Sequence, residues 1–119
     1  MASLCKTLVT AIASLTLAGG LSWSGPSTHA QETAVTVQIS VKNHRFQPAE
    51  IHASANKPIM LRIKNLDATP MEFESVTLRV EKVVTGNSEG IIRLRALSPG
   101  RYDFFDDFHP ETRGTLVVQ

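Results

Sequence analysis

From residue 35 to the C-terminus, apolar and polar residues alternate with period two, and turn signals break the pattern about every 8–12 residues. Val35, Val37, Ile39 and Val41 alternate with Thr36, Gln38 and Ser40. Ile59, Leu61 and Ile63 alternate with Met60, Arg62 and Lys64. Period two puts successive side chains on opposite faces of a strand, so each run has one buried face. Further strands are expected at Ile51–Ala53, Met71–Thr77, Ile91–Ala96, Tyr102–Phe105 and Thr115–Val118, seven in all, and 79–84 is β-rich as well. Turn chemistry separates them at Lys57-Pro58, Asn65 to Pro70, Gly86-Asn87-Ser88 and Ser98-Pro99-Gly100. Pro48 marks Phe46 to Ile51 as an edge or a bend. No segment carries a long helical stripe. The pattern predicts an all-β fold, an antiparallel Greek-key β-sandwich. Tyr102, just after Pro99-Gly100, stands where sandwich proteins place a tyrosine corner.

The N-terminus reads differently. Lys6 precedes an apolar, small-residue stretch from Leu8 to Leu21, and Thr28-His29-Ala30 offers a small-x-small cleavage site. Residues 1–30 therefore read as a signal peptide and 31–119 as one domain of 89 residues, which predicts an exported protein. Cys5 precedes the apolar stretch, which is the wrong order for a lipoprotein. Cleavage would remove Lys6 from the 12 basic residues, leaving 11 against 11 acidic ones. A domain without a concentrated basic face is not built for nucleic acid. It would also lose the single cysteine, so neither an intrachain disulfide nor a thiolate metal site can form.

Candidate chemistry then rests on three histidines and the acids. His52 alternates away from Ile51 and is expected to be an exposed strand residue. His109 ends the run Phe104-Phe105-Asp106-Asp107-Phe108-His109, which gathers two acids and an imidazole. Asp107 and His109 would share a face if the strand continued through them. Oxygen and imidazole together suit iron, copper, zinc or nickel. In Pro70-Met71-Glu72-Phe73-Glu74 the two glutamates lie on one side of a strand with Phe73 on the other. Met71 beside them would be a soft ligand or a core gap-filler. His44 is a loop histidine two residues before Phe46.

Phe46-x-Pro48-x-x-Ile51, Asn65-x-Asp67 before Pro70, Pro99-Gly100-x-Tyr102 and Gly114-x-Leu116-x-Val118 together resemble the cupredoxin fold across 35–119. More specifically, Asp67 to Ser75 and Phe104 to His109 resemble the cupredoxin-like proteins of bacterial periplasmic iron uptake. Those proteins accompany a high-affinity iron permease and a periplasmic metal-binding partner. The blue-copper pattern is not kept. Its His after the loop Pro is Met71 here, its Cys-x-x-His is Asp106-x-x-His109, and the loop from His109 to Gly114 is too short for the usual axial Met.

The resemblance implies a monomeric periplasmic protein that binds copper or iron. Glu72, Glu74, Asp107 and His109 are the expected ligands, with His44, Met71 and Asp106 nearby. The implied role is metal handling in iron uptake, by ferrous-iron oxidation or by delivery to the permease. Two other roles are open: a docking module with a degenerate site, and a periplasmic copper carrier relying on Met71.

Overall fold

The computed structural model describes residues 19–22, 24–26 and 33–119. The segment read as a signal peptide, Cys5 included, lies almost wholly outside them. Nine strands follow one another without a helix among the described residues: β1 (Val35–Lys42), β2 (Arg45–Gln47), β3 (Glu50–Ala53), β4 (Ile59–Asn65), β5 (Met71–Ser75), β6 (Val80–Val84), β7 (Ser88–Leu94), β8 (Gly100–Asp106) and β9 (His109–Val118). They form two sheets, ordered β2-β1-β4-β7 and β3-β9-β8-β5-β6.

The alternating residues do what period two requires. Ile39 and Val41 of β1, Ile59, Leu61 and Ile63 of β4, and Leu116 and Val118 of β9 are all buried between the sheets. Phe46, Phe73 and Phe104 form an aromatic cluster in that core. Phe104 stacks on Phe73 and meets Phe46 edge-on, each at 4.9 Å between centroids. Gly114 makes this packing possible, because a Cβ there would run into the Phe104 ring and the Ala49 carbonyl. The Tyr102 hydroxyl donates to the Ser98 carbonyl at 2.8 Å, so the tyrosine corner is formed.

The all-β sandwich matches expectation, and three details differ. Two pairings are parallel, β1 with β4 and β3 with β9. The chain leaves the first sheet after β2, rounds Pro48 and joins the second sheet as β3, so β4 re-enters the first sheet in the same direction as β1. Arg45–Gln47 is a strand in its own right, on a sheet edge where Pro48 is tolerated. β9 is much longer than 115–118 and begins at His109.

The last difference sets the site. β8 and β9 are joined by only two residues, Asp107 and Phe108, with Asp106 paired to His109. The strand does not run on through Asp107 and His109, so they do not share a face. The β8–β9 register then slips: Phe105 pairs with Arg113 while Asp106 pairs with His109. Residues 110–112 bulge out of the ladder toward β2. The end of β1, the start of β2, the end of β4, the start of β5 and this hairpin therefore meet at one end of the sandwich.

Candidate metal centre

Asp106 is the anchor of that end. Its side chain is fully buried. Oδ1 accepts the Glu72 amide at 2.9 Å and the Phe108 amide at 3.1 Å. An ionised carboxylate only accepts, so the His109 tautomer with its proton on Nδ1 is the one that donates to Oδ2, at 3.1 Å. That bond fixes the tautomer and leaves Nε2 with its lone pair free, the arrangement in which a carboxylate orients a metal-binding histidine.

His44 faces His109. The two rings stack with centroids 3.9 Å apart and planes inclined by 30°. His44 Nδ1 lies 3.8 Å from Asp67 Oδ2. Each imidazole thus turns one nitrogen toward a carboxylate, and both rings are partly exposed. Two nitrogens bound to one ion at about 2.0–2.1 Å each stand no more than about 4.2 Å apart. The 3.9 Å is a separation of ring centroids, and the in-plane lone pairs of two stacked imidazoles run side by side, so one ring must turn for both nitrogens to reach one ion.

The acids expected beside His109 lie elsewhere. Glu72 and Glu74 point to the outer face of the second sheet, opposite Phe73. There Glu74 pairs across the strands with Glu81 of β6. Glu72 is raised to about 7, first by a hydrogen bond to the Glu81 carboxyl, then by burial and by the charges of Glu81, Asp107 and Glu74. Glu74 is raised too, by burial and then by Asp107 and Glu81. The Asp107 amide donates to the Glu72 carbonyl at 2.9 Å, which ties the hairpin turn to β5. Met71 is buried in the core with Phe73.

The seven expected residues therefore divide. His44, His109 and Asp106 come together at the end of the sandwich. Glu72, Glu74 and Asp107 gather on its outer face. Met71 lies in the core beneath. Among the described residues, no three His, Cys, Asp or Glu side chains form a ready-made metal cluster. A blue-copper centre does not fit, since the residue in the cysteine position is Asp106, which has no thiolate to give. Imidazole nitrogen suits copper as a donor, and His109 has a hydrogen-bonded carboxylate behind it, whereas the His44 ring nitrogen lies 3.8 Å from its carboxylate. His52 is exposed and lies 3.2 Å from Glu50, as expected of a strand histidine.

Three residues of the site escaped the sequence reading. Asp67 accepts the Asn43 and His44 amides at 2.7 and 2.9 Å. Its carboxyl is held below the usual range, chiefly by the His44 amide, despite an opposing effect of burial. Thr112 donates its hydroxyl to the His44 carbonyl. Glu81 completes the acidic face. Asp67 was visible only as part of a loop motif, and Glu81 needed the β5–β6 register. Nothing in the sequence marks Thr112.

The chain belongs to the cupredoxin-like domain family, whose model matches residues 11–118. An uncharacterized protein of Rickettsia prowazekii (strain Madrid E), RP394, is 38% identical over 88 residues, covering 73% of this chain and 70% of that protein. Auracyanin A, a blue copper protein of Chloroflexus aurantiacus, shares the fold with a TM-score of 0.62 at 18% identity, over 73% of this chain and all of that one. The metal-binding domain of the Cu(I)-exporting P-type ATPase CopA of Streptococcus pneumoniae D39 does so with a TM-score of 0.61 at 16% identity, over 71% and 84% of the two chains.

Proposed function

We propose that this chain is an exported periplasmic metal-binding protein that holds copper at the His44–His109 pair and assists iron uptake. The His44–His109 stack carries the reading: two imidazoles with ring centroids 3.9 Å apart, Asp106 3.1 Å from His109 Nδ1 and Asp67 3.8 Å from His44 Nδ1. Two structural neighbours, one a blue copper protein and one a metal-binding domain with Cu(I), favour copper among the ions.

The iron side of the reading rests on the acidic face. Glu72, Glu74, Glu81 and Asp107 offer hard oxygen donors next to the hairpin that carries His109. Oxygen donors favour ferric over ferrous iron, so a ferrous substrate held there would be easier to oxidise. Copper, when bound, would supply a one-electron acceptor. A periplasmic iron-binding protein and an inner-membrane iron permease are the partners this role requires. The segment 1–30 would direct export.

Calorimetric titration of the 31–119 chain with Cu(II), Cu(I), Fe(II) and Zn(II), beside His109→Ala and Glu72→Ala, tests the proposal. Copper binding at micromolar affinity or tighter, lost in His109→Ala, is expected, with Fe(II) binding reduced in Glu72→Ala. Absence of binding by all four ions would overturn the metal reading in favour of a docking module. Cu(I) binding that survives His109→Ala and is lost in Met71→Leu would replace it with a copper carrier.

A further inference from the structure

We infer that Asp67 is the positioning residue of the histidine pair: by accepting both amides of the left-handed Asn43–His44 turn, it holds the His44 ring against His109. This rests on the reading that the pair binds metal.

The turn between β1 and β2 has only two residues, and both have positive φ, 51° at Asn43 and 53° at His44. Two-residue hairpins favour this geometry because its twist matches the strands, with Asn-Gly the preferred pair. Asn43 fits. His44 stands where glycine is usual, so a side chain is kept at a position that disfavours one. Strain of this kind persists where surrounding structure holds it, and it concentrates at functional sites. Here the side chain kept at that position is the one stacked on His109.

Successive amides in the left-handed conformation point to one side and form a concavity for an anion. Asp67 fills it, with Oδ1 2.7 Å from the Asn43 nitrogen and Oδ2 2.9 Å from that of His44. The carboxylate is itself held. Its own amide donates to Asn65 Oδ1 at 3.1 Å, and its carbonyl accepts the Asn87 amide at 2.8 Å. Asn65 Nδ2 reaches the carbonyls of Thr69, Val84 and Thr85, tying the 65–69 loop to the end of β6. From the opposite side, buried Thr112 donates to the His44 carbonyl. Each Asp67 oxygen accepts an amide of the turn, so Asp67 bears on a metal through the placement of His44. Asp106 acts on His109 at the ring itself, through Nδ1, whereas Asp67 acts on His44 through its backbone.

The test compares wild type with Asp67→Ala, Asp67→Asn, His44→Ala and the Asp67→Ala/His44→Ala pair, all as the 31–119 chain. In the metal-free protein, NMR reads amide exchange at Asn43 and His44 and the ring-current shift that the His44 ring imposes on His109. Calorimetry with Cu(II) reads affinity. Asp67→Ala is expected to raise exchange at both amides by about tenfold or more and to abolish the ring-current shift. It is expected to weaken Cu(II) about 10–100-fold, the range seen for residues that orient a metal ligand. Asp67→Asn, with one acceptor left, should fall between. In the His44→Ala background, Asp67→Ala should cost no further affinity. Asp67→Ala or Asp67→Asn that keeps the ring-current shift, or that binds Cu(II) like wild type while His44→Ala does not, would overturn the inference. His44→Ala binding Cu(II) like wild type would instead overturn the metal reading, and the metal-free NMR comparison would still decide the positioning role.

Discussion

Asp106 shows how one residue can carry both stability and chemistry. Its Oδ1 is the acceptor for two amides and its Oδ2 orients His109. Asp106→Ala leaves the Glu72 and Phe108 amides without that partner, and a buried unpaired donor costs about 1–3 kcal/mol. Urea unfolding should show a loss of that order. Asp106→Asn separates the two roles. Its carbonyl oxygen can still serve the amides, but its NH2 faces His109 Nδ1 and favours the tautomer with the proton on Nε2. Copper affinity is therefore expected to fall with a much smaller loss of stability, and equal losses in both would contradict this division. On the outer face, Glu72 is pushed up to about 7 by a hydrogen bond to Glu81, by burial and by the acids around it. A carboxyl whose folded pKa is raised weakens the fold as it ionises. Stability should decline as pH rises from the ordinary glutamate value of 4.5 through about 7. Glu81→Gln removes the largest cause, and the decline should flatten in denaturation midpoints measured across that window. Any divalent ion held by Glu72 must displace the same proton, so its binding should strengthen over the same range.

At the scale of elements, the strands were legible because burial on one face imposes period two, and β1 and β4 show it without interruption. The Pro99-Gly100 turn and Tyr102 were legible for a similar reason: the tyrosine corner is local, joining residues four apart in sequence. Tyr102→Phe removes that single hydrogen bond and is expected to cost about 0.5–1.5 kcal/mol. Gly114→Ala forces a methyl into Phe104 and the Ala49 carbonyl and should cost more, about 1–3 kcal/mol for an overpacked core. Thermal unfolding of the two variants side by side checks the order. The β8–β9 hairpin was not legible. Asp106-Asp107-Phe108-His109 contains neither Gly nor Pro, and the turn falls at Asp107-Phe108 because β9 pairs back along β8. That pairing separates the expected ligands. Reading the strand straight through put Asp107 and His109 on one face, whereas the hairpin sends Asp107 toward Glu72 and His109 toward His44. His44 and His109 are both candidates in the sequence, but their stacking is not legible there, because it joins a turn of one sheet to a hairpin of the other.

At the scale of the whole molecule, the histidine pair joins the two sheets. His44 lies in the turn of the first sheet, between β1 and β2, and His109 opens β9 in the second. An ion bound to both rings therefore closes the end of the sandwich, and unfolding must release it. Binding to the folded state alone stabilises by about 2.7 kcal/mol when free ion is at 100 times its Kd. In a domain of 60–100 residues each kcal/mol raises Tm by about 4–8 °C. Copper at that excess should therefore raise Tm by about 10–20 °C. The gain should vanish in His109→Ala, and it should shrink in Asp67→Ala because the second ring is no longer held in place. The described domain contains no cysteine, so a reductant that leaves the metal's oxidation state unchanged should not move Tm. A copper-dependent rise of the same size in wild type and His109→Ala would mean that the ion binds elsewhere and does not link the sheets. In that case Glu72 and Glu74 on the outer face would be the donors to remove next, since they lie within the second sheet alone.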